Sequence, residues 1–408
     1  MTAPRTPIIR LAVVAASGLA LVATACGSNS SSSDSSATTA AKAAATTAAA
    51  GGAATTAAAT GNGPGVGSKA VGFIFVGPKD DFGYNQAAYE GSQAVKKAYP
   101  DLDIITAENV PETDEAARVM EGMISKGAKI IFATSYGHLD AALKVAADHP
   151  DVAVVQQGNT ITGSVPPNAG TFFGTVYEPV YLAGIVAGKE TKTNKLGYVY
   201  AFPIPQTVAN INAFELGAKS VNPNATTYTV NTSSWCDPAK QADAAKSLLG
   251  QGVDVLTQHQ DCQATVVKAA EAAGAMVVGY HEDASTLAPK GWIAGSQWAW
   301  GDLYTDIVKT ALAGTFTGSK YNANYRAGFK DGDNPFVESK FGSQVPADVT
   351  QLVEATKTKL SSNESVFTDP IMSQDGKPVI PAGTTLDPAQ VDAMNYFVAG
   401  VVGDIPKS

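Results

Sequence analysis

Hydrophobic positions between residues 69 and 313 come in two kinds of run that alternate along the chain. Residues 71–77 (VGFIFVG) are almost continuously apolar, as in a strand buried on both faces of a parallel sheet. Residues 84–98 instead space their apolar side chains along one face of a helix that stops before Pro100. Continued, the alternation predicts strands at 102–108, 129–133, 152–156 and 171–175, with helices at 113–125, 139–148 and 179–188. Short apolar runs separated by helices of this length are βαβ units, and such units build a parallel sheet.

The rhythm restarts at residue 195. Strands are predicted at 195–200, 226–231, 254–257 and 275–279, and helices at 206–220, 238–250, 263–273 and 302–313. The restart is a divergent repeat. Ala88-Tyr-Glu-Gly91 answers Ala213-Phe-Glu-Leu-Gly217, and the offset of 125 residues between Ala88 and Ala213 also separates the helix-ending glycines Gly127 and Gly252. Such a duplication predicts an α/β protein of two lobes, each a parallel sheet flanked by helices, with a cleft between them. The expected boundaries are 69–190 for the first lobe and 191–290 for the second. Residues 291–408 then supply a crossover strand and helix, followed by segments packed on the lobes.

The N-terminus breaks the pattern. Arg5 and Arg10 lead into an apolar run of small residues at 11–25, directly before Cys26. Residues 1–25 read as a secretory signal, the run being short for a membrane span. A cysteine in that place reads as the residue that carries a lipid, with an incidental cysteine after a plain signal peptide as the alternative. From 27 to 68 the chain is almost entirely Ser, Ala, Thr and Gly, with Asp34 and Lys42 its only charges. Such a tract cannot bury enough apolar area to offset the entropy of ordering, so 26–68 is expected to be a lipidated cysteine plus a disordered tether. This places the protein outside the cytoplasm, lipid-anchored to the cell membrane. Across 408 residues, 45% hydrophobic content supports two sizeable cores, and a net charge of −9 without a basic cluster argues against nucleic acid as a partner.

Loops leaving the carboxyl ends of strands converge when two such lobes face each other. Loop 78–85 (PKDDFGYN) carries Asp80, Asp81, Phe82, Tyr84 and Asn85, and loop 134–138 carries Ser135, Tyr136 and His138. The second half contributes Trp235 and Asp237, then His259 and Asp261, then His281, Glu282 and Asp283, and last Trp298 and Trp300. Rings mixed with acids and amides suit a flat polar molecule, stacked on its faces and read along its edge. Trp298 and Trp300 have a second reading, alternation into a sheet face. The histidines lack the His-x-x-His or His-x-x-x-His spacing that sets two metal ligands on one helical face, so rim positions and supporting hydrogen bonds fit them better than zinc. No nucleophile elbow, phosphate loop or dinucleotide fingerprint occurs. No catalytic residue, metal or cofactor is therefore assigned, and an enzyme using Asp80, Asp81 and Asp261 as acid and base is the weaker reading.

Cys236 and Cys262 are the only cysteines after Cys26. Outside the cytoplasm an even pair in neighbouring loops is expected to be oxidised, two buried thiols being the alternative.

Several blocks then resemble one family, the basic membrane lipoproteins (BMP): GPKDDFGYN at 77–85, ENVPET at 108–113, ATSYG at 133–137, YLAGIVAG at 181–188, GYVYAFPIPQ at 197–206, NAFELGAKSVNP at 212–223 and LTQHQD at 256–261. The resemblance covers roughly residues 70–330. It implies a monomeric substrate-binding lipoprotein of an ABC importer, with the type I periplasmic binding fold and a membrane permease as partner. It also implies a purine nucleobase or nucleoside held between rings of opposite lobes. By that resemblance Phe82, Asn85 and Tyr136 act from the first lobe, and Trp235 with Asp261 from the second. The chain departs from the family's ribose-holding Gly-x-Asp loop, reading Gly279-Tyr-His281-Glu-Asp283 instead, and residues 295–300 (GSQWAW) replace the segment that brings a lysine. The departure favours a free base such as adenine over a riboside. An extracellular ligand sensor built on the same cleft is the alternative to import.

Overall fold

The computed structural model describes residues 62–368 and 370–406. The expected signal segment, Cys26 and most of the expected tether lie outside the described residues. Order begins earlier than the boundary expected at 68. Residues 64–67 form a turn, and the buried Ser68 donates through Oγ to the Ala70 carbonyl (2.7 Å) while accepting from the Lys129 amide (2.8 Å). Gly65 donates to the Asp151 carbonyl at 2.9 Å.

Two sheets carry the fold. The first contains β1 (Ala70–Ile74), β2 (Asp103–Ala107), β3 (Ala128–Ala133), β4 (Ala153–Gln157) and β5 (Ala169–Gly174). The second contains β6 (Lys195–Tyr200), β7 (Thr226–Asn231), β8 (Val255–His259), β9 (Met276–Gly279) and β10 (Trp292–Trp298). The chain then returns to the first sheet as β11 (Asn324–Ala327) and to the second as β12 (Phe336–Glu338). A small hairpin, β13 (Ile371–Met372) with β14 (Pro378–Ile380), precedes β15 (Val401–Val402). The sheet orders are β11-β5-β4-β3-β1-β2 and β12-β10-β9-β8-β6-β7-β15, parallel throughout except where β12 runs antiparallel to β10. Strands β6 to β10 thus repeat the 2-1-3-4-5 order of β1 to β5. In each sheet that order reverses beside the first strand, which opens a crevice at the carboxyl ends.

Helices α1 (Tyr84–Ala98), α2 (Asp114–Ile124), α3 (Leu139–Asp148), α4 (Tyr177–Glu190), α5 (Pro205–Val221), α6 (Pro238–Gly250), α7 (Ala264–Ala273), α8 (Gly301–Leu312) and α9 (Ala347–Ser361) cover the sheets. Two helices change sides. Helix α4 follows the last consecutive strand of the first sheet but packs on α5, β10 and β12, and α8 follows β10 but packs on α1. The first lobe therefore ends near residue 175 rather than at the expected 190. The physical reason is backbone contact: a Cβ on Gly184 would sit 2.2 Å from the Phe214 carbonyl oxygen, and one on Gly217 2.1 Å from that of Tyr181. Only glycine lets α4 and α5 approach this closely. The expected crossover strand likewise proves to be β10, an integral strand of the second sheet.

The outer core of the first lobe gathers Met120, Met123, Ile131 and Val145, and that of the second Leu248, Leu256, Val266 and Val277. Between the lobes runs an aromatic seam. Phe172 and Phe173 of β5 meet Trp298 and Trp300 at the end of β10, with ring centroids 4.2 Å apart for the two tryptophans and 4.7 Å for Phe173 and Trp298. Fully burying a large apolar side chain contributes about 1.5–3 kcal/mol, so the seam fastens the two lobes together.

Candidate functional site

The loops at the carboxyl ends of seven strands, β1, β3, β4, β6, β7, β8 and β9, reach the same place. Tyr84 follows β1, Ser135 and Tyr136 follow β3, and Gly158 follows β4. Ile204 and Gln206 follow β6, Trp235 follows β7, His259 and Asp261 stand at β8, and His281 follows β9. These residues, with Phe173, enclose a cavity of about 20 Å³, room for about one water. Admitting a solute therefore requires the lobes to part. They touch directly at the rim: the Tyr84 amide donates to the Asp261 carbonyl at 3.2 Å, and a Cβ on Gly83 would lie 1.6 Å from that oxygen. Wider grooves of about 500 and 620 Å³ adjoin the cavity at Gly158 and Gln206 and run toward Arg326 and Asp392. They are larger but hold few of the rings, so the chemistry sits in the small closed space.

The first-lobe loop is largely occupied with itself. Asp81 is buried and accepts from the Gly83 amide (2.8 Å), the Gln86 amide (3.0 Å), the Asn85 amide (3.1 Å) and Asn85 Nδ2 (2.7 Å). It caps the first turn of α1 rather than facing the cavity. Asn85 is spent the same way, its Oδ1 accepting from the Gly77 amide at 3.1 Å. Phe82 takes a left-handed backbone (φ 55°), is 39% exposed, and does not line the cavity, so the expected ring opposite Trp235 is not in position. Tyr84 and Tyr136 occupy that wall instead.

Glu112 was not singled out in the sequence and proves central. One carboxylate oxygen accepts from Ser135 Oγ (2.6 Å) and the Gly137 amide (2.7 Å), and the other from Trp235 Nε1 of the opposite lobe (3.3 Å). It lies in a loop leaving the carboxyl end of β2, the same signal that picks out Asp261.

In the second lobe, Trp235 packs edge-on to Phe202 with ring centroids 5.0 Å apart, and its carbonyl accepts from the Asp261 amide at 2.8 Å. Cys236 and Cys262 are joined as a disulfide, pinning these two loops together. Asp261 is buried at the cavity wall. Burial, reinforced by the nearby charges of Asp81 and Glu112, pushes its carboxyl well above the usual range. His259 is pushed down to about 3 by burial, and His281 well below its ordinary value by burial and by His259. Both imidazoles are neutral at physiological pH. Trp298 does not line the cavity; it stands behind His281 and donates through Nε1 to His281 Nδ1 at 2.9 Å. Trp300 is wholly in the seam. Asp283 accepts from the Ser285 amide at 2.9 Å, a turn contact away from the cavity, and Asp237 caps α6.

Of the expected binding residues, then, Tyr84, Ser135, Tyr136, Trp235 and Asp261 surround one space, while Asp81, Phe82, Asn85, Asp283 and Trp298 do not line it.

The family described as ABC transporter substrate-binding protein PnrA-like matches residues 68–341. A purine-binding protein of Brucella abortus is 35% identical over 339 residues, covering 83% of this chain and 94% of that protein. A protein of Haloferax volcanii, named for glucose binding in an ABC transporter, is 30% identical over 349 residues, covering 85% of this chain and 84% of its own. Among solved structures, an ABC transporter solute-binding protein of Aeropyrum pernix superposes with a TM-score of 0.63 at 18% identity, over 79% of this chain and 95% of that one.

Proposed function

We propose, for a chain that belongs to the PnrA-like family of ABC transporter substrate-binding proteins, that its cleft captures a purine nucleobase and delivers it to a membrane permease. Substrate-binding proteins of this kind work outside the cytoplasm. In this reading residues 1–25 are removed as a signal, Cys26 carries the lipid, and the chain to about residue 62 lets a monomeric receptor range over the membrane. The Cys236–Cys262 bond forms on export and holds Trp235 beside Asp261.

One observation carries the ligand assignment. Trp235 of one lobe and Tyr84 and Tyr136 of the other line the same closed cavity, and the indole N–H is already engaged by Glu112, so the tryptophan offers its face rather than its edge. Stacking on two sides suits a flat heteroaromatic ring, each such pair contributing about 0.5–1.5 kcal/mol beyond area burial. The name of the Brucella relative agrees. The name of the Haloferax relative favours a second reading, a hexose, but a sugar ring needs many hydrogen bonds around its edge, and here the Ser135 hydroxyl and Trp235 N–H are committed to Glu112.

Calorimetric titration with adenine, hypoxanthine, adenosine, guanosine and glucose tests the assignment. Binding of a free base is expected, with ribosides weaker because sugar hydroxyls would be buried without partners. Glucose binding with no purine binding would overturn it. Radiolabelled purine uptake by a deletion strain separates import from sensing: uptake should be lost.

A further inference from the structure

Among the described residues, His281 is the one cavity-lining side chain with a buried polar atom, its Nε2, that lacks a hydrogen-bond partner. The residue is 1% exposed. Which of its ring nitrogens carries the proton follows from its neighbour. An indole N–H can only donate, so His281 Nδ1, 2.9 Å from Trp298 Nε1, must accept. A neutral imidazole that accepts at Nδ1 carries its proton on Nε2. A doubly protonated ring would set N–H against N–H at Trp298, in a site where the neighbouring His259, with ring centroids 5.6 Å away, is an aromatic neighbour and not a counter-charge.

The ring is also held in place at a cost. His281 takes φ 77°, a left-handed backbone that bulky residues rarely adopt and that persists where the surroundings enforce it. Its own carbonyl is clamped as well, accepting from the Trp298 amide at 3.0 Å. Tyr84 and Trp298 flank the imidazole, with centroids 5.0 and 6.3 Å away. Buried donors are nearly always paired, so an unpaired one fixed in orientation and tautomer at a binding cavity is reserved for something that enters it.

We propose that His281 is a specificity-determining residue, donating its Nε2–H to an unprotonated ring nitrogen of the bound base, with Trp298 as the positioning residue that fixes the donating tautomer. The proposal rests on the nucleobase reading above. It adds which atom of the ligand is recognised in this part of the site: an acceptor in the ring, not an exocyclic amine or a hydroxyl.

Deleting acceptors from the ligand one at a time tests it. Adenine is titrated alongside its 1-deaza, 3-deaza and 7-deaza analogues against wild type, His281→Ala and Trp298→Phe. In wild type one deaza analogue should bind at least tenfold more weakly than its parent base. In His281→Ala that gap should close to within about twofold, and in Trp298→Phe it should narrow. A gap that persists in His281→Ala, or deaza analogues that all match the parent, would overturn the proposal while leaving the nucleobase reading intact. A wild type that binds no purine would remove both. Long-range ¹⁵N–¹H spectra of wild type provide a readout that needs no variant to fold: the His281 signal should report an Nε2–H tautomer and move when adenine is added. An Nδ1–H tautomer, or a signal indifferent to adenine, would overturn the proposal.

Discussion

Asp81 and Asp261 are both buried carboxyls in strand-end loops, one from each lobe, and the charge of Asp81 adds to the cost of charging Asp261. Their surroundings differ in one respect. Asp81 collects three backbone amides and a side-chain amide, all within residues 83–86. No comparable set of donors converges on Asp261. The first-lobe loop satisfies itself and serves as a rigid jaw; the second-lobe loops hold polar groups in reserve. Position in a strand-end loop identifies where a ligand approaches, but the count of local donors decides which residue is left to meet it.

The largest effect should come from removing the self-satisfied carboxylate. Asp81→Ala strips four buried donors of their acceptor and uncaps α1, and should lower unfolding free energy by about 2–4 kcal/mol in urea titration. If instead stability holds and only affinity falls, Asp81 belongs to the ligand and the contrast with Asp261 is broken.

Gly83→Ala attacks the contact between the two jaws. The three atoms nearest an added Cβ all belong to Asp261 of the opposite lobe, so each lobe should fold normally. The added Cβ lands on the Asp261 carbonyl oxygen and denies full closure. Affinity should fall by about a hundredfold, or about 2.7 kcal/mol, with little change in unfolding free energy. Small-angle scattering in saturating ligand should show a more open molecule than wild type.

Trp235→Ala should cost about tenfold in affinity, some 1.4 kcal/mol, through lost stacking. Trp235→Phe should recover most of this, because the ring is retained and only the bond to Glu112 is lost. The tryptophan was legible in the sequence because a large ring in a polar strand-end loop has few structural uses. So was the two-lobed α/β architecture, since continuous apolar runs and a constant 125-residue offset, as between Gly127 and Gly252, leave few alternatives. What could not be read was direction. A loop such as PKDDFGYN has no fixed period, so nothing in it says that Asp81 turns inward to cap α1 while Phe82, through one left-handed residue, turns out to solvent. The same lack hid Glu112, whose partners Ser135 and Trp235 come from two other loops, and it hid the side change of α4, which depends on glycine contacts between two helices.

The smallest expected effect is the most discriminating. Were Asp261 an ionised acceptor, Asp261→Asn should cost about as much affinity as Trp235→Ala. The burial of Asp261, with the charges of Asp81 and Glu112 nearby, instead pushes its carboxyl well above the usual range and favours the neutral form in the closed protein. A neutral acid offers one O–H donor and one carbonyl acceptor, which an amide reproduces. Asp261→Asn should therefore hold affinity to within about threefold, while Asp261→Ala should lose about tenfold, the net value of hydrogen bonds to a buried polar partner. The pH dependence has a definite sign. A carboxyl whose folded value lies above its unfolded one keeps its proton in the folded state after the unfolded chain has released it, so stability falls as pH rises from about 4 toward the folded value. Glu178, Glu215 and Glu282, each raised to about 7 by burial, slope the same way. Melting temperatures of wild type and Asp261→Asn between pH 5 and pH 8 should both decline, the variant less steeply because one of the acids that slope this way is gone. A variant that declines as steeply as wild type, together with a large loss of affinity, would mean that Asp261 is ionised after all and that the two lobes present their carboxylates alike.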